Sequence, residues 1–299
     1  MLAEVTSLKD VYALFSKLSP KEVIEMLEAE GLLLKLNRCS KCRTQRTLNK
    51  NKDYKGGYAF YCKKCKKFKN VTDGTFFDTT KIEFEDFFVL LWLWASHTSV
   101  KVARNLTNFS KVTIIQYFRY FRDICSWKLL TLETQTLGGE GNTVQIDESV
   151  VAKRKYIRGK RVKTTWVLGM IDEQTRQSVI LYVEKRDSAT MIPEIQRHVK
   201  PGTTIWTDCW KAYNGLSRVG YKHETVNHSK NFKSPTGVCT NLIEGHWNKL
   251  KKHCRTKNVM NSKFFFEYVD EFMWIEKYGP DAYSKRYNMI QQIKEKYPC

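Results

Sequence analysis

The chain has 299 residues and a formal charge of +20, from 51 Lys and Arg against 31 Asp and Glu. With 42% hydrophobic and 13% aromatic residues it can bury a sizeable core, which excludes a mainly disordered chain, and 15 Gly with 6 Pro exclude collagen-like sequence. The positive excess predicts a polyanionic partner, either nucleic acid or an anionic membrane surface.

A spanning helix is not expected, because the longest apolar run, Phe87 to Ala95, is nine residues, against about 20 needed to cross a bilayer. The first ten residues lack a basic region followed by an apolar stretch, so no secretory signal is expected. Nine cysteines is an odd number, and four of them form two Cys-x-x-Cys pairs, which favours metal ligation in a reducing compartment over a disulfide framework. The charge is clustered. Residues 36–71 hold 12 basic side chains against Asp53 alone, residues 152–171 hold seven with no acid, and residues 245–266 hold six with no acid. These three segments carry +24, so the rest of the chain sums to −4. A merely soluble surface intersperses the signs, and clustering of this kind marks contact surfaces.

Along the chain, residues 8–34 read as two helices. Ser19-Pro20-Lys21-Glu22 supplies an N-cap, a proline at the first helical position and an acidic first turn, and Gly31 ends the second helix. Cys39-x2-Cys42 and Cys62-x2-Cys65, 19 residues apart, match a four-cysteine zinc ribbon, in which each pair puts two thiolates on one tight turn and two turns complete a tetrahedron. Lys63, Lys64, Lys66, Lys67 and Lys69 around the second pair are candidate phosphate contacts. Residues 80–127 read as helical, with Phe84, Phe87, Phe88 and Leu91 as a core stripe, a short helix from Val100 to Leu106, and a helix from Lys111 to Trp127 capped by Ser110. That arrangement suggests helix-turn-helix, with Lys111, Thr113, Gln116, Arg119 and Arg122 facing a groove; a helical bundle without such a role is the alternative.

Leu137 to Asn142 is the clearest linker, and beyond it the pattern turns strand-like. Strands are expected at Val144–Val151, Thr164–Ile171, Ser178–Val183, Thr203–Thr207 and Tyr221–Val226, with Arg158-Gly159-Lys160 as a turn. Helices are expected at Ala189–Val199 (capped by Ser188), from Trp210, and from Asn241 to about Lys252, followed by two aromatic helices. A three-strand meander followed by helix, strand, helix, strand, helix describes a ribonuclease-H-like α/β architecture. The expected organisation is an N-terminal helical segment (1–36), a zinc ribbon (37–75), a helical region (76–137), the α/β core (138–278) and a C-terminal helix (279–299).

Three acids fall where such a core gathers them: Asp147 inside the first strand, Asp208 at the end of the fourth, and Glu244 near the start of a late helix. Three carboxylates repel one another, and divalent cations are the usual remedy; two Mg²⁺ about 3.5–4 Å apart can serve phosphodiester chemistry. Glu148, next to Asp147 on a strand, is expected to point to the opposite face.

The stretches Gln145-Ile-Asp-Glu-Ser149, Trp206-Thr-Asp-Cys-Trp-Lys-Ala-Tyr213, Val226-Asn-His-Ser229 and Thr240-Asn-Leu-Ile-Glu-Gly-His-Trp-Asn-Lys-Leu-Lys251 resemble the DDE transposases of the Merlin superfamily and the related bacterial insertion-sequence transposases. The resemblance covers the ribbon and about residues 140–275, with Cys239 standing where a histidine is expected. It implies a ribonuclease-H-like core with Asp147, Asp208 and Glu244 holding Mg²⁺ or Mn²⁺, terminal inverted repeats as substrate, and cut-and-paste transposition. Joining two ends of double-stranded DNA to target DNA implies a homodimer or larger assembly, and in a eukaryotic host the nucleus.

Further DNA contacts are expected from the hairpin cations Lys155, Arg158, Lys160 and Arg161, from His228, and from Asn241, Lys251 and Lys252. Asn241 could instead cap its helix, and Trp210 could stack on an unpaired base or pack on a helix. Cys209, Cys239, His223, His246 and Cys254 match no trusted metal spacing. The rival readings are a domesticated zinc-ribbon regulator that binds DNA without catalysis, and a ribonuclease-H-like nuclease.

Overall fold

The structure is a computed structural model that describes residues 5–36, 38–132, 137–152, 165–226, 237–260 and 262–299. The chain forms two compact units, one from residues 1–125 with 278–299 and one from residues 126–277.

The first unit starts with helices α1 (Leu8–Lys17) and α2 (Pro20–Ala29). Each opens with a capping box, Ser7 with Asp10 and Ser19 with Glu22, and Gly31 takes φ +71° where α2 ends. A three-stranded antiparallel sheet follows: β1 (Thr47–Lys50), β2 (Tyr58–Cys62) and β3 (Lys67–Asn70), in that order. Helix α3 (Phe84–Ala95) is apolar nearly all round and buried along most of its length. Helices α1 and α9 (Ala282–Lys296) pack on it. The buried Lys285 of α9 donates to the carbonyl of Ala95 at 3.2 Å, covering an orphan acceptor at the α3 C-terminus. Helices α4 (Val100–Leu106) and α5 (Lys111–Thr131) follow, α5 counting with this unit as far as Cys125 and having Ser110 Oγ accept from the N–H of Thr113 as expected. Arg122 does not face a groove. It lies on the stripe of Ile114, Phe118 and Phe121 and is buried.

The second unit is built on a five-stranded sheet of β4 (Thr143–Ala152), β5 (Thr165–Asp172), β6 (Ser178–Val183), β7 (Thr204–Asp208) and β8 (Lys222–Val226). The order is β6-β5-β4-β7-β8, with the first three strands antiparallel and β7 and β8 parallel to β4. This is the ribonuclease-H-like arrangement, with β4 in the centre. On one face Val144, Ile146 and Leu168 pack with Met191 and Ile195 of α6 (Ser188–His198) and with Tyr213 and Leu216. On the other, Val151, Val167 and Ile171 pack with Ile243, Trp247 and Leu250 of α7 (Asn241–Thr256), and with Val269 and Phe272 of α8 (Phe265–Tyr278).

Two local expectations are corrected. The cap of α6 is Asp187, whose side chain accepts from the N–H of Thr190, while Ser188 instead donates to the carbonyl of Ala212. The helix expected from Trp210 is two short 3₁₀ turns, Lys211–Tyr213 and Leu216–Val219, because Asn214-Gly215 interrupts it and the buried Tyr213 and Leu216 are spaced three apart. Among the described residues no helix is long and apolar enough to cross a membrane.

Candidate functional site

The four cysteines of the first unit come together. Cys39 Sγ lies 3.8 Å from Cys65 Sγ and Cys42 Sγ 3.4 Å from Cys62 Sγ, and all four sulfurs lie within 4.8 Å of one another. Thiolates about 2.3 Å from a central ion stand roughly 3.8 Å apart in a tetrahedron, so the set has the size of a metal cage. Each knuckle closes the same way: Arg43 and Lys66, directly after the second cysteine of each pair, take φ +57° and +52°. The sulfurs share protons unevenly: hydrogen bonds from Thr44 bring Cys42 down to about 6, and hydrogen bonding with Cys42 together with burial pushes Cys65 up to about 12. Lys63, Lys64, Lys66 and Lys67 are exposed beside the cage, whereas Lys69 pairs with Asp73 at 3.1 Å.

In the second unit the acidic residues are set by strand register. Val144 pairs with Ile205 and Gln145 with Trp206 in the parallel β4–β7 ladder, and two residues further along stand Asp147 and Asp208. Period-two alternation puts Asp147 on the α7 face of β4 and Glu148 on the α6 face. Two contacts pin α7 over β4. The carboxamide oxygen of the buried Gln145 accepts the N–H groups of Leu242 and Ile243 at 3.0 and 3.1 Å, and Trp247 Nε1 donates to Asp147 Oδ2 at 2.9 Å. Glu244 lies between these pins in the first turn of α7 and is exposed. The reading of Asn241 as the cap is corrected: Thr240 holds the N-cap position, its hydroxyl donating to Glu244 Oε1 at 3.4 Å rather than capping a backbone N–H, Asn241 is exposed, and Gln145 supplies the acceptor.

Burial pushes the Asp147 carboxyl up to about 6; the Trp247 hydrogen bond opposes this, and the charges of Glu148 and Asp208 add to it. Burial also raises Glu148, against hydrogen bonds from Tyr213 and Arg186, with Asp208 again adding. The site is therefore short of positive charge at Asp147, whose donor is a neutral indole. The oxygens of Asp147, Asp208 and Glu244 are not drawn into one cluster as the four sulfurs are; among the described residues the cysteine cage alone gathers its donor atoms so closely.

Glu148, Arg186, Trp210 and Tyr213 form a group that sequence reasoning did not assemble. Tyr213 donates to Glu148 Oε1 and Arg186 Nη2 to Oε2 at 2.7 Å. The guanidinium lies 3.9 Å from the Trp166 ring centroid and 4.3 Å from that of Trp210, so Trp210 offers this face to a cation rather than to a base. His223 bonds Thr207 Oγ1 at 2.8 Å and His246 faces Glu276 at 3.3 Å; neither joins Cys209, Cys239 or Cys254 in a metal cluster. Arg119 and Lys252 are exposed and Lys251 half-buried. Lys155, Arg158, Lys160, Arg161 and His228 lie outside the described residues, as does the Arg158-Gly159-Lys160 turn.

A family model described as the ISXO2-like transposase domain matches residues 136–276. An uncharacterized transposase-like protein of Haemophilus influenzae is 32% identical over 106 residues, 36% of this chain and 84% of that protein. Among solved structures, the HTLV-2 integrase catalytic core domain in complex with magnesium is 14% identical over 46% of this chain and 86% of its own, at a TM-score of 0.31. The simian T-cell lymphotropic virus intasome in complex with a PP2A regulatory subunit gives 13%, 62% and 67%, at a TM-score of 0.32. The fold assignment rests on strand order and register.

Proposed function

The chain belongs to the ISXO2-like insertion-sequence transposase family, and on that premise we propose that it is a cut-and-paste DNA transposase of the Merlin group. In this reading it binds terminal inverted repeats and catalyses metal-dependent DNA cleavage and strand transfer. The observation that carries the reading is the double pin of α7 on β4: Leu242 on Gln145 and Trp247 on Asp147 flank Glu244 in sequence and tie its helix to the strand that runs beside the Asp208 strand.

The donors fit a divalent ion. They are hard carboxylate oxygens, and Asp147 is largely withdrawn from water beside like charges with a neutral donor, so a bound cation would offset the burial, and with it the repulsion, that raises its pKa. Asp147, Asp208 and Glu244 would hold Mg²⁺ or Mn²⁺, two ions in the full site. Bound there, the ions supply activation of a nucleophilic oxygen and stabilisation of a leaving oxygen in phosphodiester exchange. The chain's own part is to fix the ligands. The indole of Trp247 orients Asp147, the Trp210 N–H orients Asp208 through Oδ1 at 2.9 Å, and Gln145 sets the depth of α7 and with it Glu244.

In the first unit Cys39, Cys42, Cys62 and Cys65 would hold a structural Zn²⁺. The exposed Lys63, Lys64, Lys66 and Lys67, with Arg119, Lys251, Lys252, Asn241, the 155–161 cations and His228, would contact DNA. Joining two ends calls for a dimer or larger assembly.

The test is cleavage and joining of end-bearing duplex with Mg²⁺ or Mn²⁺. Asp147→Ala, Asp208→Ala and Glu244→Ala should each abolish both activities while the protein stays folded. Wild-type cleavage by any of the three overturns that residue's assignment, and by all three the reading itself.

A further inference from the structure

Glu148 is an anomaly on its face of the sheet. The neighbouring inward positions of β4, Val144 and Ile146, are apolar and fully buried, yet Glu148 places a carboxylate there with its side chain only 2% exposed. Both of its oxygens are taken, one by the Tyr213 hydroxyl and one by Arg186. Burying a carboxylate against a partly exposed guanidinium is a poor way to stabilise a core, since apolar side chains of similar volume commonly do as well or better. What the pair supplies is geometry, because a bidentate set of contacts admits one arrangement.

The partners show which geometry. Tyr213 closes the 3₁₀ turn that begins three residues after Asp208. Arg186 lies over the Trp210 ring, and the backbone N–H of Trp210 donates to Asp208 Oδ1. Ser188, two residues after Arg186, donates to the carbonyl of Ala212 in the same turn at 2.7 Å. The side-chain contacts of Glu148 therefore lead from the residue adjacent to Asp147 to the segment that follows Asp208, directly through Tyr213 and by way of Arg186 through Trp210, while Arg186 also lies over Trp166 of β5.

We propose that Glu148 is a positioning residue: with Arg186 and Tyr213 it ties strand β4 to the turn after Asp208 and so fixes the separation of the two aspartates for metal binding. This rests on the transposase reading of the same site. The buried carboxylate is not itself a ligand, since both its oxygens are engaged on the α6 face while Asp147 faces α7.

The experiment measures Mn²⁺ binding to the full chain by electron paramagnetic resonance, with the cysteine cage kept loaded with zinc, alongside the Mn²⁺ dependence of end cleavage. Glu148→Ala should weaken Mn²⁺ binding by about 10–100-fold, the usual effect of removing a group that orients a ligand. Glu148→Gln, which keeps an acceptor for Tyr213 but loses the charge for Arg186, should weaken it less. Cleavage by both should recover toward wild type at high Mn²⁺, which a general loss of structure would not do. Should Glu148→Ala fail to fold, Tyr213→Phe and Arg186→Met, which keep the packing volume, decide the question and should shift Mn²⁺ binding in the same direction. Wild-type Mn²⁺ affinity and Mn²⁺ dependence in the folded variants overturn the positioning role and leave the transposase reading standing. A wild-type chain that binds no Mn²⁺ and cuts no DNA overturns the transposase reading, and the positioning role with it.

Discussion

The indole N–H of Trp247 reaches Asp147 because Gly169 leaves room for the ring. Gly169 is the cross-strand partner of Asp147, and a Cβ there would lie 2.5 Å from two atoms of the indole. The glycine is thus required by a close approach of side chain to strand rather than by its own backbone angles.

Trp247→Phe removes the donor that lowers the Asp147 pKa, so the carboxyl should titrate above its present value of about 6. At subsaturating metal the acid limb of the pH–rate profile should move to higher pH, with cleavage at pH 7 falling by about 10-fold or more. Gly169→Ala should displace the same ring, giving a similar loss of cleavage and about 1–3 kcal/mol of destabilisation from overpacking. A Gly169→Ala variant with wild-type melting and cleavage would show that the ring does not need this contact.

Gln145 caps a helix from a strand nearly a hundred residues away in sequence. Gln145→Leu leaves the N–H groups of Leu242 and Ile243 without their acceptor and should cost about 1–2 kcal/mol. Gln145→Glu restores an acceptor but should not rescue, because the Gln145 side-chain N–H₂ also donates to Glu173 at 2.7 Å and a carboxylate there would face a carboxylate. Thermal melting of the two variants checks both statements. Cleavage should fall with stability, since the end of α7 that loosens carries Glu244.

The sequence made some of this legible and hid the rest for physical reasons. Cysteine spacing is local, so the cage could be read directly, and strand alternation alone separates the faces of Asp147 and Glu148. The strand order followed from element order, and it matches the sheet. Gln145 could not be read, since a buried polar residue in a strand declares a role only once α7 is known to end above it. Gly169 looked like any strand glycine until the Trp247 ring was placed beside it. Arg122 stands four residues after Phe118, so helical periodicity by itself already puts it on the buried stripe of α5. The Glu148 group draws on β4, the loop before α6 and the turn after β7, which no sequence period connects.

Lys55 gives a pH dependence to the first unit. Its ammonium donates to Thr80 Oγ1 at 2.6 Å and lies 5.3 and 5.1 Å from the Phe77 and Phe84 ring centroids, and burial brings its pKa down to about 8 against 10.5 for a free lysine. Between these values the unfolded chain binds the proton that the folded chain has released, so this group makes stability rise with pH, by about 1–2 kcal/mol once its partial solvent screening is allowed for. Tyrosines and cysteines titrate in the same range, so the quantity to measure is the difference between wild type and Lys55→Met. That difference should shift in favour of wild type from pH 8 to 10; a flat difference would mean that the lysine stays solvated.

The cysteine cage should hold one zinc per chain. Cys62→Ser or a strong chelator should release it, with loss of the ribbon's β structure and of DNA affinity, because a small three-stranded sheet has little core of its own. Direct metal analysis and circular dichroism check this. Mn²⁺ binding at Asp147 belongs to the other unit and should survive, so loss of both together would contradict separate sites.

Binding to end-bearing DNA should fall steeply with salt, as phosphate contacts release counterions on association. Neutralising Lys63, Lys64, Lys66 and Lys67 to Gln should flatten the slope of log K against log salt by up to about 3–4, near one unit for each phosphate that is no longer neutralised. Lys69→Gln should change it much less, since that ammonium already pairs with Asp73. The four-lysine variant should keep its zinc and its Mn²⁺ binding, which separates weakened phosphate binding from unfolding. An unchanged slope in that variant would remove the ribbon from the DNA interface and leave the positive charge of the 152–171 and 245–266 segments to account for the binding.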